Sequence, residues 1–327
     1  MSIRDASHAG SWYSANKGEL SAQLDQWLDA VPACTPGIRP GSQNDSIDIP
    51  SSGARAIIAP HAGYAYSGPA AAWAYKALDL SQAKRVFLLG PSHHYYLSGC
   101  ALTQCDAYET PLGDLQIDKE TVAELRKKGK FDTMRQDRDE NEHSLEMHLP
   151  YIYKMLSRQF PGPSEFPPLV PILVGATSAA AERQFGQILA PYLADPTSVF
   201  IISSDFCHWG ARFQYTYYEK APGEARMLSP SEKILSSPAI YESIATVDGY
   251  CMDAVETKQH QQFLDVLEET GNTVCGRHPI GVVMAAIETL SLDGEKGKFR
   301  FVRYERSSDC VSPRDSSVSY CSALAVF

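Results

Sequence analysis

The sequence predicts a single α/β domain with a central, mostly parallel or mixed sheet flanked by helices. Three observations predict it. Short apolar runs at 54–60, 84–90, 169–175 and 198–203 stop abruptly at Pro, Gly or polar residues, as buried strands do where they run out into loops. Helical stretches lie between these runs, the alternation that builds βαβ units with parallel strands. No fixed-period repeat and no second composition regime divides the 327 residues, so 1–327 reads as one domain.

The chain opens irregularly at 3–15, around Ser7-His8-Ala9-Gly10-Ser11-Trp12-Tyr13. Lys17 to Ala30 follows as an amphipathic helix with Leu20, Leu24, Trp27 and Leu28 on one face. From 32 to 53 Pro, Gly, Ser and Asn are frequent and large apolar residues few, which predicts a long surface loop. The strand 54–60, a helix over 69–78 and the strand 84–90 form the first βαβ unit. Residues 97–117 read as hairpins, 118–128 as a helix, and 142–159 as a further helical stretch. The strand 169–175, a helix over 178–192 and the strand 198–203 continue the alternation. A polar connection around Tyr215, Tyr217 and Tyr218 leads to helices at 238–247 and 255–269. A helix over 280–290, with Pro279 suited to its first turn, precedes closing strands at 298–304 and 316–327.

Composition excludes several classes of function. The 44% hydrophobic and 21% charged content is that of an ordinary globular chain, not a disordered one. The net charge of −10 argues against nucleic acid as a partner, and the one basic run, Lys127-Lys128-Gly129-Lys130, reads as a solvated helix end. No apolar run reaches the roughly 20 residues of a membrane span. The N-terminal residues carry no apolar signal core, and the eight cysteines form no CxxC pair. Both features predict a cytoplasmic, or also nuclear, protein with reduced thiols.

Four segments place reactive side chains at strand or loop ends: His61, His93 with His94, Asp205 with His208, and Cys275. In open α/β sheets ligands sit outside the carboxyl ends of the strands, so His61 and His93 are expected at one edge. Two histidines and an anionic third ligand make a facial triad with open positions, and a thiolate as the third admits copper, zinc or iron. Cys275, beside Arg277 and a helix start, is placed to favour thiolate. Asp205 and His208 would supply the acid/base or supporting pair. Each residue also has a plainer reading. Cys275 could be a small buried hydrophobe, Asp205 a helix cap, and His94, His143 and His148 hydrogen-bonded structural residues.

Six motifs, in order, resemble the MEMO family, mediators of cell motility. They are Ser7–Tyr13, Pro60-His61-Ala62-Gly63-Tyr64, Gly90-Pro91-Ser92-His93-His94, Glu142-His143-Ser144-Leu145-Glu146-Met147-His148-Leu149-Pro150, Ser203-Ser204-Asp205-Phe206-Cys207-His208-Trp209-Gly210 and Cys275-Gly276-Arg277-His278-Pro279-Ile280-Gly281. The resemblance implies a fold like that of LigB-type class III extradiol dioxygenases, with His61 and His93 at the two metal-ligating positions. Cys275 would stand where those enzymes carry glutamate, and His208 would match their acid/base histidine, with Asp205 in the same pocket. It further implies iron or copper as cofactor, a part in metal or redox homeostasis, and a part in motility or cytoskeletal signalling. Trp12 and Tyr66 match aromatic positions linked to binding of phosphotyrosine peptides from signalling proteins. The segment 34–53 is longer than the connection in animal members and reads as an insertion.

Three functions follow. The first is a redox metalloprotein, in which ring cleavage is disfavoured by the glutamate-to-cysteine change. The second is an adaptor that binds peptides in the same pocket without chemistry. The third, a metal-free Cys275–His208 nucleophile, lacks a nucleophile elbow to support it.

Overall fold

A computed structural model of the chain describes residues 2–232 and 237–327. Among the described residues nine strands form the central sheet: β1 (Ala54–Ala59), β2 (Arg85–Pro91), β3 (Cys100–Leu102), β4 (Phe131–Thr133), β5 (Leu169–Val174), β6 (Ser198–Ser203), β7 (Asp205–Trp209), β8 (Phe299–Arg306) and β9 (Ser317–Val326). Their order is β7-β9-β1-β6-β2-β5-β3-β4, and β8 pairs with β9. The inner strands β1, β6, β2 and β5 are parallel, whereas β9 runs antiparallel to β1 and β3 antiparallel to β5. The sheet is therefore mixed around a parallel centre. Almost every residue of those four strands is buried, as continuous runs such as Arg-Val-Phe-Leu-Leu and Ser-Val-Phe-Ile-Ile require when both faces are covered.

Among the described residues eight helices of nine or more residues flank this sheet: α1 (Lys17–Ala30), α2 (Tyr64–Ala77), α3 (Lys119–Lys127), α4 (Leu149–Gln159), α5 (Ala179–Ala194), α6 (Ile240–Glu256), α7 (His260–Thr270) and α8 (Arg277–Leu290). The first, α1, starts where the Asn16 side chain accepts from the backbone N–H groups of Gly18 and Glu19, and it buries Leu20, Leu24 and Leu28. Helix α2 packs on β1 and β9 and carries α1 and α4, while α8 packs on β2 and β6 and against α5. Among the described residues no helix is long and apolar enough to cross a membrane.

Three expectations change. Residues 34–48 do not form an irregular loop: Cys34–Pro36 and Ser46–Asp48 pair as an antiparallel hairpin. It is docked through buried Ile47 and Ile49, a 2.9 Å bond from Ile38 N–H to the Phe301 carbonyl, and an Arg39–Asp253 ion pair at 2.8 Å. The few apolar residues that dock it are diluted in the sequence by Pro, Gly and Ser. The polar connection near Tyr217 is likewise a hairpin, Tyr217–Ala221 with Glu224–Met227. Asp205 begins a strand rather than capping a helix, because residues 205–209 pair with the first half of β9.

Candidate metal centre

The parallel strands aim their carboxyl ends at one place. His61 lies two residues beyond β1 and His93 two beyond β2, while Ser203 closes β6 between them. The turn before α8 brings Cys275 to the same point, and one ligand atom from each of His61, His93 and Cys275 lies within 4.8 Å of the others. Tetrahedral bonds of about 2.0–2.3 Å separate ligand atoms by roughly 3.3–3.8 Å, so small side-chain adjustments suffice to gather them on one ion. The pair His61 Nε2 and Cys275 Sγ already stands at 3.2 Å.

Hydrogen bonds decide which ring nitrogens face inward. Ser203 Oγ donates its single proton to the Ser144 carbonyl (2.7 Å), so toward His61 Nδ1 (2.6 Å) it can only accept. His61 therefore carries its proton on Nδ1 and keeps an unprotonated Nε2 toward Cys275. His93 Nδ1 donates to Glu142 Oε1 at 2.9 Å, and the His93 backbone N–H donates to Glu142 Oε2 at 2.7 Å. Its Nε2 is free as well. Holding Nδ1–H on an acceptor is how proteins orient a metal-binding imidazole and raise its basicity. Burial, reinforced by the neighbouring His93, pushes the His61 pKa well down, so the ring is neutral at pH 7.

Cys275 departs from the expected thiolate. Burial, and next the charge of Asp205, push its pKa well up, and these outweigh the N–H groups of Asp205 and Gly276 directed at the sulfur. Without a cation the thiol keeps its proton; a bound cation would supply the missing charge. The residues thus fit a metal: two imidazoles held through Nδ1 with Nε2 presented, and a sulfur that already accepts a hydrogen bond from Asp205 N–H at 3.2 Å.

Asp205 is buried beside this group. Its Oδ1 accepts from the His61 backbone N–H at 2.8 Å and its Oδ2 lies 4.0 Å from His61 Nε2, while burial raises its pKa. His208 is half-buried on β7, its Nδ1 directed at the carbonyls of Phe206 (2.9 Å) and Thr273 (3.2 Å). Two carbonyl acceptors hold a proton on Nδ1, so Nε2 is the ring nitrogen left to exchange one. Among the described residues no hydrogen bond joins it to the three ligands, although His61 and Asp205 both feel its charge.

His143 is hydrogen-bonded, its Nδ1 3.4 Å from His94 Nε2, and it also faces the site. Its ring stacks on His93 (centroids 4.3 Å apart), stands edge-on to His61 (5.4 Å) and lies 4.6 Å from Trp12, so it forms a wall of the site. Burial and the adjacent His93 push its pKa down to about 3. Trp12 thereby joins the site through His143. Tyr66, 61% exposed, stays on the rim, where it and Trp12 line a shallow depression of about 300 Å³ with Ser11 and Gly63. Sequence reasoning also passed over Glu142, Ser203 and Glu146. Glu146 accepts from Arg4 (2.8 Å), His8 Nδ1 (2.8 Å) and Tyr13 OH (2.8 Å), tying down the N-terminal segment that carries Trp12. For the two glutamates the signal available was their i,i+4 spacing on either side of His143; nothing in the sequence marked Ser203. Glu182, bonded to both His260 (2.6 Å) and His278 (2.7 Å), clamps the start of α8 just beyond Cys275.

Comparison with known proteins agrees with the motifs. A family model described as Memo-like protein matches residues 4–324. The chain is 47% identical over 323 residues to Protein MEMO1 of Xenopus laevis, covering 99% of this chain and 97% of that one. It is 46% identical over 324 residues to Protein MEMO1 of Homo sapiens, with the same coverage. To the Protein memo-1 homolog of Caenorhabditis elegans it is 42% identical over 322 residues, covering 98% of this chain and 82% of that one. An uncharacterized Escherichia coli K12 protein of known structure aligns at a TM-score of 0.44 with 15% identity, covering 81% of this chain and 99% of that one. With a family match over nearly its whole length and relatives close to half identical, the chain belongs to the Memo family.

Proposed function

We propose that the protein is a redox-active metal-binding member of this family, holding iron or copper through His61 Nε2, His93 Nε2 and Cys275 Sγ. One observation carries the reading: Ser203 and Glu142 fix both histidine tautomers so that two lone pairs and a sulfur converge. A mixed imidazole and sulfur set suits copper and iron, and zinc shares this donor preference. When bound, such an ion supplies Lewis acidity and, for iron or copper, one-electron chemistry. Around it, Asp205 and Nε2 of His208 can hold or accept a proton, and His143 and Trp12 wall off solvent on one side. A role in metal or redox homeostasis, in a reducing compartment such as the cytoplasm or nucleus, is consistent with eight cysteines that are all free. A part in motility signalling is proposed with it, resting on the family resemblance.

A second reading draws on Trp12 and Tyr66. Two exposed aromatics around a shallow depression beside the histidines are suited to a peptide side chain, so the same mouth would serve as an adaptor for signalling-protein peptides. Elemental analysis of protein purified without chelators separates the two readings. Near-stoichiometric iron or copper is expected in the parent, lost in His61→Ala and strongly reduced in Cys275→Ser. Metal content unaffected by either substitution would remove the metal reading. Peptide binding that survives chelation and weakens in Trp12→Ala would favour the adaptor.

A further inference from the structure

Asp248, fully buried on α6, has no part in the metal centre described above. Among the described residues it has no cationic partner, and its oxygens are met by N–H and O–H donors instead. Oδ1 accepts from the Cys207 backbone N–H (3.1 Å) and from Asn272 Nδ2 (2.9 Å). Oδ2 accepts from Tyr304 OH (2.9 Å), which lies 3.1 Å from Ser319 Oγ. Burial pushes the Asp248 pKa up, and Asn272, then Ser319 and Tyr304, work against that rise. A buried carboxyl without a cation is costly, so its place in the fold depends on what these bonds hold together.

Two of the bonds converge on the site. Cys207 precedes His208 on β7. Asn272 precedes Thr273 in the turn between α7 and α8, and Thr273 grips His208 at three points. His208 N–H donates to Thr273 Oγ1 (2.7 Å), Thr273 Oγ1 donates to the His208 carbonyl (3.1 Å), and His208 Nδ1 faces the Thr273 carbonyl (3.2 Å). Two residues further on, the Cys275 sulfur accepts the Asp205 N–H at 3.2 Å. A single carboxylate oxygen therefore bridges the strand that carries His208 to the turn that carries Cys275. The Asn272 amide has little else to secure. It is 1% exposed, its Nδ2 reaches Asp248 and, at 3.4 Å, Cys251 Sγ, and its Oδ1 is buried with no hydrogen-bond partner among the described residues. A half-satisfied buried amide is disfavoured on its own, and the tie to Asp248 is what it contributes.

We propose that Asp248 is a positioning residue for the centre, tying β7 to the 272–275 turn through Asn272 and so holding His208 and Cys275 in place. Its effect on metal affinity rests on the metal reading above; its hold on the two residues does not, and metal-free protein reports it. Asn272→Ala cuts the tie and leaves Asp248 its Cys207 and Tyr304 donors. In the chelator-treated full chain, amide exchange followed by NMR should speed up about tenfold or more at Asp205 and His208, whose N–H groups Cys275 and Thr273 hold. At Leu88, in the middle of β2, it should change by less than about threefold. Leu125→Ala, buried on α3 beside β4 at the opposite edge of the sheet, is the control for general loss of stability. Urea denaturation establishes that each variant folds. Parent-like exchange at both amides in folded Asn272→Ala would overturn the proposal, as would a rise no larger than that in Leu125→Ala. Asp248→Asn keeps an oxygen toward both N–H donors and should stay within about threefold of the parent. A rise there matching Asn272→Ala would mean that charge rather than this bond holds the turn, and would also overturn the proposal. Affinity for ferrous iron and for cuprous copper, measured by chelator competition, should fall about tenfold in Asn272→Ala, the lower end of what loss of an outer support costs. Unchanged affinity would overturn the proposal for the centre. A parent that takes up neither metal would remove the metal reading, while selective exchange at Asp205 and His208 would still establish the tie.

Discussion

At His93 the ring is aimed by Glu142, which accepts three hydrogen bonds: from His93 Nδ1 (2.9 Å), His93 N (2.7 Å) and Ser144 N (3.0 Å). Burial opposes ionisation of this carboxyl, but the His93 hydrogen bond and charge outweigh it and hold the pKa at about 2. Glu142→Gln would turn an amide NH₂ toward N–H donors and free the ring to rotate. Metal affinity should then fall about 10- to 100-fold, as when the group orienting a ligand histidine is removed. Competition against a chromophoric chelator measures it, and an affinity equal to the parent's would show that Glu142 does not position the ligand. The contrast between residues is instructive. His61, His93 and Cys275 were legible in the sequence because each follows an apolar run or precedes a helix. Glu142, Ser203 and His143 were not, because their roles arise from contacts across 49 to 142 positions of chain.

At the scale of elements, the turn into α8 is shaped by glycine. A Cβ on Gly276 would sit 2.3 Å from Ser204 Cβ and 2.4 Å from the Ser203 carbonyl oxygen, so the turn approaches the end of β6 more closely than any side chain permits. This close seat is what delivers Cys275 to His61. Gly276→Ala should cost about 1–3 kcal/mol by overpacking. It should also displace Cys275, so that metal content falls more than in an equally destabilised variant elsewhere. Elemental analysis beside urea denaturation tests this, and full metal occupancy in the variant would refute the account. The parallel strands were readable for a physical reason: burial on both faces leaves uninterrupted apolar runs. Short hairpins have no such signature. Glu224–Met227 is wholly exposed and Ser46–Asp48 buries only Ile47, so composition marks both segments as loops. The boundary between α6 and α7 shifted for a related reason. A helix was expected from 255, but Ala254 and Val255 pack as the buried last turn of α6, and the chain turns at Lys258 with φ of 65°.

For the molecule as a whole, buried titratable groups set the response to acid. His148 is fully buried with Nδ1 at 2.6 Å from Tyr75 OH, and burial pushes its pKa down to about 3. Between its unfolded value near 6.5 and about 3, the unfolded chain binds a proton that the folded chain refuses, so stability falls as pH falls through that window. Glu146 acts in the same direction at lower pH. Burial opposes its ionisation, but the His8 hydrogen bond and the Arg4 charge hold its carboxyl down to about 2. Its contribution is therefore fully present above an unfolded value near 4.5 and is lost as pH falls toward 2. His61 and His143, with lowered pKa values, add to the upper part of the slope. Chelator-treated protein should thus lose stability from about pH 6.5 downward, each histidine contributing up to about 1.4 kcal/mol per pH unit. His148→Gln removes one of these protons while keeping a polar partner for Tyr75. Between pH 6.5 and 4.5, where Glu146 is still silent, its stability should decline less steeply than the parent's by about that amount. Urea denaturation at stepped pH gives both slopes, and identical slopes would mean that His148 takes up its proton without unfolding the chain.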